Sequence, residues 1–458
     1  MRLSPDTAGR LPSDISRFSY ERDHQQGGIV HFGIGAFHRA HQAWYTDLAM
    51  DTGDKDWAIT GVSLRSPSVA AQMNPQQGLF TVTERSAKGS RTRLMGAVRE
   101  VLVAGTGSAA LSSLLAAGET RIVSFTVTEK GYCRAPNGSL DLDLAAQGSF
   151  YPVLAEAMDV RRESGVQGFT LLSCDNLAQN GQQLHRLMSE YLTARAKHLL
   201  PWFEAECRCP SSMVDRIVPA TTAEDRSALA AQLGMDDEAA VFTEAFTQWV
   251  IEDDFAAGRP AWDRVGAQLV ADVEPYETAK LRMLNGSHSA LAYLGLERGH
   301  VFVHQAIADA EVRTLVERLM REEAAPTVSA GPEQDLERYA SSLMERFANP
   351  ALNHRLEQIA MDGSQKIPQR WLDTLAEQAR RGRSCPAILT ALAAWLRHVR
   401  QHQRSADDPL VPELRRLWQQ YGSRDIAQRV FGSGGLLASA WQPSQEDLAF
   451  LMTDLSRP

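Results

Sequence analysis

The sequence predicts an α/β protein in which an N-terminal parallel-sheet domain is followed by a predominantly α-helical C-terminal domain. Three observations predict it. Short apolar runs alternate with helical stretches through the first part of the chain, a glycine turn follows the first run directly, and beyond Glu277 helical periodicity continues without convincing strands.

The first run, Gly28 to Phe32 (GIVHF), reads as a strand that ends in Gly33-Ile34-Gly35, and His38 to Met50 then reads as a helix. Further strands are expected at Trp57 to Leu64, Leu79 to Glu84, Arg121 to Thr128 and Gly168 to Ser173, separated by helical stretches such as Ala109 to Ala117 and Tyr151 to Arg162. Strands and helices in alternation imply a parallel sheet covered by helices. The segments Leu281 to Leu296, Ala310 to Glu323, Asp335 to Phe347 and Ser384 to His402 carry the helical period. A boundary near residue 275 therefore divides a dinucleotide-binding, Rossmann-like domain (1–275) from a mainly helical substrate and catalytic domain (276–458). Gly432 to Gly435 (GSGG) reads as a short turn.

With 458 residues the chain is long enough for two large domains, and a composition of 44% hydrophobic and 22% charged residues is that of an ordinary globular protein. The net charge of -9 argues against a nucleic-acid partner. No leader-like or membrane-length apolar stretch stands out, so a cytoplasmic protein without a membrane partner is expected. Five scattered cysteines without a C-x-x-C pair are expected to be reduced thiols.

A strand running into Gly33-x-Gly35 and a helix suits a dinucleotide, because missing side chains let the backbone approach a pyrophosphate at the helix N-terminus. His38 occupies the third glycine position, so the pattern is incomplete, and a plain strand-to-helix turn explains it equally well. The next strand ends Leu64-Arg65-Ser66-Pro67, without the carboxylate that binds the NAD ribose. Arg65 and Ser66 suit a 2′-phosphate, which keeps NADP open beside NAD; the alternative is that Arg65 is a solvated loop residue.

Three polar clusters are candidates for chemistry. Ser173-Cys174-Asp175-Asn176 follows an apolar strand, at the end where open α/β sheets place ligands, and Asn176 is either a substrate ligand or a turn residue. In Met213 to Pro219 (MVDRIVP), Asp215 and Arg216 sit among apolar neighbours as a structural ion pair or as catalytic groups. In YETAKLRMLNGSHSALAYLG, Glu277, Lys280, Asn285 and His288 fall within about 140° of one helix face if the helix continues through Gly286. A partly buried lysine has its pKa lowered, which suits it to proton transfer. The alternative is a solvated helix face with a Glu/Lys pair. His300/His304 and His398/His402 have metal spacing without a third ligand and are read as surface residues, and no metal is expected.

Taken together, GIGAFHRAHQ (Gly33 to Gln42), FTVTEKGY (Phe125 to Tyr132), SCDN (Ser173 to Asn176), MVDRIVPAT (Met213 to Thr221) and KLRMLNGSHS (Lys280 to Ser289) resemble the mannitol dehydrogenase family of long-chain, zinc-independent polyol and sugar-acid dehydrogenases. The resemblance covers nearly the whole chain. Within the family, Gln248 to Val273 and Asn349 to Arg370 resemble the sugar-acid branch, which interconverts D-mannonate and D-fructuronate, and Gln358 replaces an arginine of mannitol dehydrogenases.

The resemblance implies an NAD-dependent oxidoreductase, with NADP possible. Lys280 becomes the general acid/base, Asn176 and Asn285 hold the reacting oxygen, and His288 binds substrate hydroxyls. Asp215 orients the site, and Glu277 gates proton exchange. Gly33, Gly35, Phe37 and His38 in the glycine turn, Arg65 after the second strand, and Thr128 and Lys130 in the TEKG segment bind the cofactor. Lys366 and Arg370 are expected to hold the substrate carboxylate. Two alternatives are a polyol dehydrogenase acting on mannitol, arabinitol or sorbitol, and a dinucleotide-binding sensor without turnover.

Overall fold

The computed structural model describes residues 1–105, 108–401 and 408–457, and the chain forms two compact units, Met1–Glu274 and Pro275–Pro458. Among the described residues no helix is long and apolar enough to cross a membrane, and all five cysteines are free thiols.

The first unit is built on β1 (Gly27–Phe32), β2 (Ala58–Ser63), β5 (Val98–Val103), β6 (Ile122–Phe125) and β7 (Thr170–Ser173), in the order β5-β2-β1-β6-β7 with every pair parallel. Apart from the edge strand β5, their sequences are largely apolar because both sheet faces are covered. Ile29, Ile59, Ile122 and Leu172 face one core with Ala43, Tyr45 and Trp57, while Val30, Val62, Val123, Phe125 and Leu171 face the other with Leu115, Leu154 and Leu187. Two three-stranded sheets complete the unit. One joins β3 (Phe80–Ser86), its antiparallel hairpin partner β4 (Gly89–Met95) and β9 (Val241–Glu244). The other joins β8 (Ser212–Asp215), β10 (Gln248–Glu252) and β11 (Gln268–Val270).

Several expectations need correction. The run Leu79 to Glu84, expected in the main parallel sheet, belongs to the β3 hairpin, since β4 follows after a two-residue turn and takes up its edge. The strand that completes the main sheet is β5 (VREVLV), whose adjacent charges Arg99 and Glu100 mark a half-exposed edge that apolar-run counting overlooks. The helix expected from His38 starts at Ala36, breaks at His41 (φ -123°, ψ -83°) and resumes over Gln42–Asp51.

The second unit is helical. At its centre, Gly286–Glu297 is buried at every position from Gly286 to Gly295, as expected of a helix that is small or apolar all round. Gly295 permits the crossing there, because a Cβ would lie 2.7 Å from Leu356 and 2.8 Å from Ala306. Glu323, buried, accepts hydrogen bonds from the Ala387 and Ile388 amides (2.8 Å each) and so caps the helix Pro386–Gln401. His398, expected on the surface, is buried against the Tyr293 ring (centroids 5.4 Å apart), because it falls on the core side of that helix; His402 lies outside the described residues.

Candidate active site

The glycine turn is wired from beneath. Gly33 sits at φ +93°, its amide bonds to the Val62 carbonyl (2.9 Å), and a Cβ there would lie 2.1 Å from the Thr126 carbonyl oxygen. Only glycine fits this close approach of β1 and β6. Gly35 is different: its φ is -86°, and a Cβ would meet nothing nearer than the Gly33 oxygen at 3.8 Å. The protein leaves open space where a pyrophosphate would approach the backbone.

Below the turn, His31 is fully buried. Its Nδ1 lies 2.8 Å from Ser124 Oγ, its Nε2 lies 2.8 Å from Thr126 Oγ1, and the Thr126 hydroxyl donates to the Gly33 carbonyl (2.7 Å). Because Thr126 spends its one proton on that carbonyl, Nε2 must be the protonated nitrogen and Nδ1 must accept from Ser124. Burial depresses His31 to a pKa of about 3, so the relay runs through a neutral ring.

His38 stacks on His31 with centroids 3.5 Å apart and is 0% exposed. Expected as a cofactor contact, it has no free surface and underpins the turn instead. Arg39 donates to the Gly35 and Ala239 carbonyls, and His41 Nε2 lies 2.9 Å from the Gln248 carbonyl. Thus the histidines and arginine of HRAHQ brace the turn. Phe37 remains half-buried and stacks on His41 at 5.1 Å.

The ends of β2 and β6 frame a cavity of about 470 Å³ lined by Arg65, Glu129, Lys130, Arg134, Ala135 and Leu144. It lies on the two sides of β1, where the chain of an open parallel sheet reverses its order and ligands bind. Two of the expected cofactor residues, Arg65 and Lys130, are thereby brought together.

Thr128 lies at φ +64°, an outlier for a β-branched residue. The side chain that holds it there is Asp175, which accepts from the Val127 and Thr128 amides (3.0 Å each) and from the Tyr132 hydroxyl (2.9 Å). Burial pushes the Asp175 carboxyl up, and these hydrogen bonds pull it back. The next residue is Asn176, which is exposed. Asn180 joins this loop to β8, donating to the Asp175 and Ser212 carbonyls and accepting from the Ser212 amide. Asp175 stands in the polar cluster noted in the sequence but without a role there, and Asn180 lies outside it; a carboxylate two residues past a fully buried parallel strand is the signal that marks Asp175. Asp175→Asn replaces one acceptor with a donor facing an N–H. The Michaelis constant for the dinucleotide should rise about tenfold, as expected for loss of a charge-assisted bond. Steady-state kinetics at fixed sugar concentration checks this, and Tyr132→Phe should give the smaller effect.

Asp215 and Arg216 do not form the adjacent ion pair that the sequence allowed. Arg216 is buried over the Trp44 ring, pairs with Glu84, and donates to the Ala40 and Glu244 carbonyls, tying β8 to β3, β9 and the glycine-turn helix. Asp215, its neighbour on an alternating strand, is buried at the end of β8 opposite Gln248.

In the second unit, the helix expected to run unbroken through Lys280 changes pitch. An α-helix (Glu274–Ala279) passes into a π-helical turn over Lys280–Asn285, with the Gly286 amide bonded to the Leu281 carbonyl five residues back, before the central helix begins. The even rotation assumed for the four polar residues therefore fails at that turn. Such turns re-aim side chains and favour functional positions. Glu277, Lys280 and His288 are buried and Asn285 is half-buried.

Another π-helical turn, Pro368–Leu372, carries Arg370, whose Nη1 donates to the Asn285 carbonyl (3.2 Å) and to Ser289 Oγ (2.7 Å). Among the described residues no carboxylate pairs with Arg370, and burial lowers its pKa to about 10. His288 Nε2 and His354 Nδ1 are buried without a hydrogen-bond partner, with the two rings edge to face at 5.4 Å. Burial lowers the pKa of both imidazoles, and the neighbouring His354, Arg346 and Arg370 push His288 further the same way. Buried polar atoms without partners call for an explanation, and a polyhydroxylated ligand supplies one. Lys366, grouped with Arg370 in the sequence, instead donates its ammonium to the Ile359 and Met361 carbonyls.

Among the described residues no trio of His, Cys, Asp or Glu is grouped to hold a metal ion. Asn176 and Asp215 lie in the first unit, and Glu277, Lys280, Asn285, His288, Lys366 and Arg370 in the second.

Comparison with known proteins agrees with this layout. The mannitol dehydrogenase Rossmann domain matches residues 27–264, and the mannitol dehydrogenase C-terminal domain matches residues 272–432. The chain is 41% identical over 444 residues to D-mannonate oxidoreductase of Escherichia coli (strain K12), covering 93% of this chain and 91% of that protein. It is 36% identical over 441 residues to mannitol 2-dehydrogenase of Phaeosphaeria nodorum, covering 90% and 78%. Among solved structures, Pseudomonas fluorescens mannitol 2-dehydrogenase in ternary complex with NAD and D-mannitol is 33% identical, with a TM-score of 0.85 over 99% of this chain and 96% of that one. The chain is an oxidoreductase of the mannitol dehydrogenase family.

Proposed function

We propose that this protein interconverts D-fructuronate and D-mannonate with a nicotinamide dinucleotide, as a fructuronate reductase (D-mannonate oxidoreductase) that needs no metal. The observation that carries the reading furthest is Arg370, a partly buried guanidinium with no carboxylate partner among the described residues, bonded to the turn that holds Asn285. A buried cation is tolerated when an anion completes it, and a uronate brings one. Lys366, four residues before Arg370, has its ammonium on the Ile359 and Met361 carbonyls, and Arg370 is the residue assigned to the carboxylate.

The first unit fits a dinucleotide on its own geometry: Gly33 is forced by the protein, Gly35 is left open, and the cavity beside them carries Arg65 and Lys130. Phe37 and Thr128 flank the same turn and loop. When bound, the nicotinamide supplies the hydride. The remaining work belongs to the chain. Lys280 gives a proton to the C5 oxygen in reduction and takes it back in oxidation. Asn176 and Asn285 donate amide hydrogens to that oxygen as it gains alkoxide character. Neutral His288, through its unpartnered Nε2, binds a substrate hydroxyl. Asp215 orients the reacting groups, and Glu277, three residues before Lys280, passes protons to solvent.

The likeness to a mannitol 2-dehydrogenase complex supports a second reading, oxidation of a neutral polyol. An assay of NADH and NADPH oxidation with D-fructuronate, D-tagaturonate and D-fructose decides between them. Fructuronate should exceed fructose at least tenfold in kcat/KM. A preference for fructose moves the enzyme to the polyol reading, and silence with all three leaves a dinucleotide-binding sensor.

A further inference from the structure

One buried imidazole of the second unit has no task in the proposed reaction. His354 stands in the segment that leads into the helix Leu356–Ala360. That segment is pinned as a short antiparallel bridge: the Val303 amide donates to the His354 carbonyl and the Leu356 amide to the Val301 carbonyl (3.0 Å each), with Phe302 paired to Arg355 between them. The Arg355 guanidinium covers the bridge, 5.7 Å from the centre of the Phe302 ring. His354 is therefore presented from anchored backbone and not from a loose loop.

Its ring meets His288 of the central helix edge to face, with centroids 5.4 Å apart, and His288 in turn lies 4.8 Å from the ring of Phe347, the last residue of the helix Leu336–Phe347. Two further elements thus converge on one imidazole, which is only 8% exposed. His354 Nδ1 and His288 Nε2 are both buried without a hydrogen-bond partner, so the two rings touch without satisfying each other. If packing were the only requirement, leucine or phenylalanine would fill both places without burying a polar nitrogen, which is costly when left unpaired. A neutral imidazole nitrogen donates to a hydroxyl or accepts from one, according to its tautomer. Two such nitrogens on adjoining rings, beside the apolar wall of Phe347, have the make-up of a small-molecule site: a mostly apolar lining with a few convergent polar atoms.

We propose that His354 is a second substrate-binding imidazole, its Nδ1 and the Nε2 of His288 each bonding one hydroxyl of the same sugar acid. This rests on the sugar-acid reading given above and adds a residue that sorts substrates by where their hydroxyls lie.

The test uses the full-length protein with nitrogen-15 in its histidine rings, titrated with D-mannonate in the presence of NADH, with which mannonate does not react. The His354 Nδ1 and His288 Nε2 resonances should both shift and saturate together. In steady-state kinetics, His354→Leu keeps the packing and removes the nitrogen, and the KM for D-fructuronate should rise about tenfold, as for one lost hydrogen bond. The melting temperature and the NADH dissociation constant should hold. His354→Asn places a polar atom the same number of bonds from Cα as Nδ1 and should recover most of the loss, which a residue that only packs would not show. A His354 resonance that stays in place while that of His288 moves overturns the proposal and leaves the sugar-acid reading standing. So does a wild-type KM in His354→Leu, or an asparagine variant no better than the leucine one. Failure of D-mannonate to move either ring, with NADH bound, would instead overturn the proposed function on which it rests.

Discussion

Replacing Lys280 with alanine is expected to slow fructuronate reduction by about 10² to 10⁴-fold, the range over which a positioned general acid contributes. Lys280 is buried on the π-helical turn that precedes the central helix, so its ammonium is carried by a rigid element and not by a loop. The dinucleotide reading rests on the first unit, so the dissociation constant for the reduced cofactor should change little. Arginine should rescue poorly, because a guanidinium does not release its proton near neutral pH. Single-turnover oxidation of bound NADPH or NADH after mixing with D-fructuronate measures the step. A variant that retains more than a tenth of the wild-type rate would remove Lys280 from proton transfer.

Gly33→Ala carries the second large effect, on the fold and the cofactor together. The new Cβ would sit 2.1 Å from the Thr126 carbonyl at a backbone φ of +93°, so β1 and β6 must part or the turn must flip. A left-handed conformation costs a non-glycine residue about 1 to 2 kcal/mol before the clash is counted. Thermal denaturation should show a fall of several degrees, and dinucleotide binding should be lost. Gly35→Ala separates the two causes. Its Cβ meets no protein atom closer than 3.8 Å, so the melting temperature should hold while dinucleotide affinity falls. Equal behaviour of the two variants would contradict the division of labour assigned to these glycines.

The two glycines also illustrate what is legible in a sequence. The apolar run Gly28 to Phe32 and the pair behind it announced a strand, a turn and a helix, because burial on both faces leaves a continuous apolar imprint. That imprint fails at edges: β5, interrupted by Arg99 and Glu100, and the β3–β4 hairpin follow neighbours in space that local pattern does not encode. The site was legible as residue types but not as roles. Asp215 and Arg216 read as one pair, yet alternation along β8 sends Arg216 to Glu84 and to backbone carbonyls far away in sequence. His38 and Lys366 looked free to meet ligands, and tertiary packing gives one a histidine to stack on and the other two carbonyls to cap. The π-helical turn at Lys280 was invisible, since the residues of KLRMLN are ordinary helix formers and the extra residue per turn is imposed by packing.

Direct hydride transfer to the C5 carbon of a sugar acid without a metal can be followed by isotope. The full-length protein is incubated with D-fructuronate, nicotinamide cofactor deuterated at C4 on the transferred face, and excess chelator, and the product is examined by NMR. The product should be D-mannonate carrying one deuterium at C5 for each cofactor oxidised, at a rate the chelator does not change. Cofactor oxidised without deuterium at C5, or turnover abolished by the chelator and restored by a divalent ion, would contradict it.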